Sequence, residues 1–201
     1  MSLLIHMRGR IKTVETIEKV THAMQLISMS THLNLRGKKS KIESYQQQLT
    51  KLFNQALSAA PHWHNAFLHP DPAQPPHVLC ILIGSQKGLC GTFNSSLFNV
   101  FEKDIVRFHG TPTTIIPIGK RAIDYVVRKQ QQLQATIVTP KEAQTIHPNA
   151  IPAIIAMLAQ VILEKPLYTQ VIVYNNYPST FFFTKITNLF PYSLCVYTPR
   201  A

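Results

Sequence analysis

Apolar residues between Leu3 and about Leu57 recur at intervals of three and four: Leu4, Met7, Ile11 and Val14, then Met24 and Ile27, then Ile42, Tyr45, Leu49 and Leu52. That spacing is the seam of a coiled coil. The stretch holds no proline, and Thr31, Leu35 and Lys38 keep the phase between its two apolar blocks, so Gly37 is expected to weaken one turn without ending the helix. A helix of about 55 residues would be about 80 Å long at 1.5 Å per residue, too long for a compact domain of this size to wrap.

The pattern then changes. Residues 61–76 concentrate proline and histidine and cannot continue a helix, so they read as a linker between a stalk helix at 1–60 and a domain at 77–201. Beyond it, His77–Ile83, Thr113–Ile118, Ala135–Val138 and Gln170–Tyr174 read as buried strands, with Phe181–Phe190 as one more at the end. Asn94–Phe108, Lys120–Gln132 and Pro152–Glu164 between them have helical spacing. The expected fold class is α/β: a long N-terminal coiled-coil helix followed by a mainly parallel, Rossmann-like three-layer domain.

Composition narrows the function classes. Lys and Arg number 20 against 9 acidic residues, for a net charge of +11, and the excess is divided between the helical segment and the remainder. An acidic partner is expected. Nucleic acid is one such partner, but the basic run Arg36, Lys38, Lys39 and Lys41 lies on a long rod, where it reads as a solvated face, so none is expected. Cys80, Cys90 and Cys195 are widely spaced, which encodes neither a disulfide framework nor a cysteine zinc site. No apolar run approaches the roughly 20 residues that span a bilayer, so a soluble or peripherally attached protein is expected. The Arg-bearing start runs on into the helix and is read as part of it, not as a transit peptide.

The loop Gly84-Ser-Gln-Lys-Gly-Leu-Cys-Gly91 follows the first expected strand. Glycines there allow a tight turn and could bring backbone N–H groups to an anion. It matches neither the P-loop nor the dinucleotide fingerprint, because Leu follows Gly88, and Gly84, Gly88 and Gly91 are read as a structural turn packing helix on sheet. Cys90 would be a nucleophile only with a partnering base, and none is placed by the sequence. His62, His64, His69 and His77 could in principle bind a metal, but without acidic or cysteine partners they read as linker residues. Phe181, Phe182 and Phe183 lack the interleaved basic and glycine residues of an RNA-binding strand and are expected to be buried in the sheet. No catalytic residue, cofactor or metal is assigned. A small phosphate-binding α/β enzyme and a basic nucleic-acid-binding module remain the alternatives.

Three motifs in order carry a resemblance. Arg10-Ile-Lys-Thr-Val14 with Lys19-Val-Thr-His-Ala-Met24 is similar to RIxSVxxTxKITxAMxMV. Gly88-Leu-Cys-Gly91 with Phe93 and Asn94 resembles SDRGLCGGFN, and Tyr174-Asn-Asn-Tyr177 through Ser179-Thr180 to Leu189-Phe-Pro191 is similar to YNKFxST…LLP. These are the patterns of the gamma subunit of F-type ATP synthase, the non-catalytic central stalk of a rotary motor. The resemblance covers nearly the whole chain but about the first two-thirds of a typical member, and the family's returning C-terminal helix is expected to be missing. It implies contacts with acidic levers on the beta subunits at Arg10, Lys19 and Met24. His22 and Gln25 stand where the family often has Lys, reducing the charge presented there. Met24 also reads as a seam residue, the alternative to a contact. The resemblance further implies alpha, beta and epsilon subunits and the membrane c-ring as partners. The apolar seam without its returning helix leads to the expectation of either a separate chain supplying that antiparallel helix or a truncated, degenerate and non-rotary form. The resemblance places the protein peripherally on the cytoplasmic face of a bacterial inner membrane, or on the matrix side of the mitochondrial one.

Overall fold

In the computed structural model of the chain, residues 2–60, 75–164, 168–177 and 183–190 are described. The chain divides into two compact units, Met1–Trp63 and His64–Ala201.

The first unit is one helix, α1 (Ser2–Ala59). It runs unbroken through Gly37, as expected of a single glycine inside a long helical pattern. Hydroxyls that would compete with the backbone are turned back onto it. Thr21 donates to the Ile17 carbonyl at 2.8 Å and Thr31 to that of Ile27 at 2.9 Å. Each threonine thereby offers its methyl group to the surroundings with its polar atom satisfied. Lys39 and Glu43 pair one turn apart at 3.6 Å.

The second unit is built on a five-stranded sheet of order β3-β2-β1-β4-β5, with β1 (Val78–Ile83), β2 (Thr113–Ile118), β3 (Thr136–Ile137), β4 (Gln170–Tyr177) and β5 (Phe183–Phe190). β1 pairs parallel with both β2 and β4, β2 pairs parallel with β3, and β5 closes the edge antiparallel to β4. Burial on both faces explains why β1 and β2 read as near-continuous apolar runs. One face carries α2 (Phe93–Ile105), α3 (Lys120–Arg128) and α4 (Gln130–Leu133), through Leu97, Phe101, Ala122, Tyr125, Val126 and Leu133. The other face carries α5 (Ile151–Glu164), through Ile154, Met157, Leu158 and Val161. The result is the expected three-layer α/β unit.

Several elements differ from the sequence reading. The expected strand at Ala135–Val138 keeps only two residues, pairing with Thr114 and Ile115. This short edge suits Pro117: alternation from Ile115, whose carbonyl accepts from Val138, points the proline nitrogen toward β3 but past its end. The helix expected at Lys120–Gln132 breaks at Lys129 (φ −102°, ψ 11°), and the one expected to Phe108 tightens into a 3-10 turn after Ile105. β4 runs on to Tyr177, because Asn176, though polar, is held inside. Its amide nitrogen donates to the Phe93 carbonyl and to Ser96 Oγ at 3.1 Å, and its oxygen accepts from Thr184 at 2.7 Å. Residues 61–74, with His62, His64 and His69, Phe181 and Phe182, and Cys195 lie outside the described residues. His77 is described, and its ring sits 2.9 Å from Thr114 Oγ1 and edge-on to Tyr168.

A polar cluster centres on Asp104, buried near the end of α2. Tyr174 OH donates to Asp104 Oδ2 at 2.8 Å, and Arg107 pairs with the other oxygen at 2.9 Å. Burial first, then the Asp104 charge, pushes the neighbouring Cys80 thiol up to about 12, so it stays protonated. Nearer the surface, Lys129 and Tyr125 both donate to Glu102 and hold its carboxyl below its ordinary value. A lowered folded-state value means that the contribution is present above the usual carboxylate range and lost as pH falls through it.

Tyr174→Phe should cost about 1–2 kcal/mol in denaturant unfolding, because the buried carboxylate loses one of its two partners. Glu102→Gln should lower the stability of this unit slightly near neutrality and leave it unchanged at low pH, so that the acid limb of the stability–pH curve flattens. An unchanged acid limb would show that the Lys129–Glu102 contact adds nothing.

Candidate functional site

Two features could carry function: the face of α1 and the loop that follows β1. Along α1 the large apolar side chains lie open, Leu4 at 65%, Ile11 at 59%, Val14 at 63% and Ile42 at 63% exposure. Each is core-like in type and surface-like in position, a combination that marks a contact surface. Met24 is 47% exposed. With about 100° between successive residues of a helix, Arg10 and Met24 fall within roughly 40° of each other, beside the apolar stripe. Lys19 falls roughly 180° from Arg10 by the same geometry. The three expected contact residues are therefore not gathered into one patch. A single flat partner could touch Arg10 and Met24, whereas Lys19 faces the other way.

The loop brings Gly84, Gly88, Cys90 and Gly91 to the C-terminal end of the parallel strands, where α/β folds commonly place ligands. Here its polar groups are used internally. Ser85 N–H donates to Asn94 Oδ1 at 3.0 Å, and Asn94 Nδ2 donates back to Ser85 Oγ at 2.8 Å, tying the loop to the start of α2. Gln86 Oε1 accepts from the N–H groups of Lys120 at 3.4 Å and Ile146 at 3.2 Å, and the Ser85 carbonyl accepts from Arg121 N–H at 3.1 Å. The leading amide donors of α3, which would otherwise face an anion, thus already have acceptors from this chain. Cys90 Sγ donates to the Lys87 carbonyl at 3.2 Å, a contact that does not activate a thiol. No cluster of metal-ligating side chains occurs among the described residues.

The glycines act by close approach and by backbone sign. A Cβ on Gly84 would lie 2.9 Å from both the nitrogen and the Cβ of Ala122, so the bare residue lets α3 sit on β1. Gly119 does more. It has φ +90°, and an added Cβ would be 2.6 Å from the Gly84 carbonyl oxygen. The sequence reading missed Gly119, because its contact with Gly84 spans the whole crossover from β1 through α2 to β2. The one local signal was a lone glycine between a strand and a helix. Gly91 (φ +56°) stands in open space, and Leu89 adopts φ +59° without being a glycine while 93% exposed. Ser85, Leu89, Cys90, Gly91 and Phe93 line a shallow open depression there.

Comparison with known proteins adds a consistent picture. A family model described as ATP synthase matches residues 4–195. The ATP synthase gamma chain of Fusobacterium nucleatum subsp. nucleatum is 24% identical over 176 residues, covering 86% of this chain and 60% of that one. That of Rickettsia felis is 31% identical over 135 residues, covering 64% and 46%. The chain therefore spans about half to three fifths of the length of the curated relatives it matches. Among solved structures, a chain of the Tetrahymena thermophila mitochondrial ATP synthase central stalk and c-ring aligns at TM-score 0.46 and 20% identity, over 71% of this chain and 67% of that one. A chain of the Euglena gracilis mitochondrial ATP synthase rotor aligns at 0.40 and 16%, over 76% and 61%.

Alanine at the three loop glycines should destabilise the α/β unit in the order Gly119, Gly84, Gly91. Clash and positive φ combined should cost about 3 kcal/mol or more at Gly119, overpacking about 1–3 at Gly84, and backbone sign alone about 1 at Gly91. Thermal unfolding of the three variants checks the order. Equal losses would contradict the packing account.

Proposed function

This chain belongs to the ATP synthase gamma-chain family, and from that premise we propose that it serves as a central-stalk subunit of an F-type ATP synthase, coupling proton flow to ATP synthesis by rotation. The observation that carries the reading is α1 itself: a 58-residue helix whose apolar side chains and whose Arg10, Lys19 and Met24 are all presented outward. The chain has no catalytic role in this reading. ATP chemistry belongs to the alpha and beta subunits, and the stalk biases them by touching different conformations with different strength.

The angular spread of the contact residues fits such a role. Arg10 and Met24 on one side and Lys19 on the other suit a shaft surrounded by several subunits better than a helix lying on one flat surface. The cationic pair would meet acidic levers on the beta subunits, and Met24 would offer them a soft apolar contact. The α/β unit would be the foot that engages the epsilon subunit and the membrane c-ring. A separate chain would supply the antiparallel helix that the stripe of α1 calls for. The complex would hold this chain peripherally at the cytoplasmic face of a bacterial inner membrane, or at the matrix face of a mitochondrial one.

Reconstitution with alpha and beta subunits tests this. Addition of the chain, with any helix-supplying partner, should raise ATP hydrolysis several-fold, as expected for contacts made differently in successive states. Arg10→Gln combined with Lys19→Gln should remove most of that gain while leaving the α/β unit folded. No stimulation under any subunit combination would reject the rotor role.

A further inference from the structure

We draw no further inference here: the strongest candidate, the exposed apolar tip of the loop after β1 where Leu89 stands at φ +59°, belongs to the site already described, and nothing in the structure shows what covers it.

Discussion

A helix of 58 residues with a greasy stripe on its surface is held by something other than its own backbone. Helical hydrogen bonds exchange nearly evenly with those to water, and most helix stability in proteins comes from covering an apolar face. The large apolar side chains of α1 are far too exposed for that condition to be met by the helix alone. Every functional argument about the first unit follows from this imbalance: the stripe needs a partner that runs along it. The α/β unit obeys the opposite rule. Its strands β1 and β2 are sealed on both faces, and its buried polar groups, Asp104, Tyr174 and Asn176, are matched by partners within the same unit.

This division of labour suits a part that passes force between other chains. The self-sufficient unit can hold its shape while its surroundings move. The helix can take its order from whatever surrounds it. The glycine loop contributes to the first of these tasks. Gly84 and Gly119 let α3 close onto the ends of two parallel strands, and Gln86 and Asn94 spend the loop's hydrogen-bonding capacity on the fold. A ligand-binding loop of similar composition would leave amides facing outward. Composition alone could not separate those two uses, because both need glycine at the same places.

Much of the architecture was legible because it rests on local periodicity. The stalk helix, the buried runs of β1 and β2, and the amphipathic spacing of α2 and α5 are each visible within a window of residues. What escaped depends on contacts between distant segments. The shrinkage of β3 arises where the edge of the sheet meets Pro117, and the break at Lys129 goes with the bond from its ammonium to Glu102 on a different helix. Gly119 matters because of an oxygen 35 positions earlier, on Gly84. The Tyr174–Asp104 bond joins residues 70 apart. At the site, the residue types on α1 were readable, and so was the family pattern that singles out Arg10, Lys19 and Met24. Their angular separation followed only once the helix was seen to run unbroken through all three.

Amide hydrogen exchange along α1 is the most direct test of the idea that this helix borrows its order from a covering chain. The chain should be measured first at high dilution, then with the catalytic head. The account predicts that α1 amides exchange far more slowly once a partner is present, while β1 and β2 amides are protected equally throughout. Protection of α1 at high dilution matching that of β1 would contradict it.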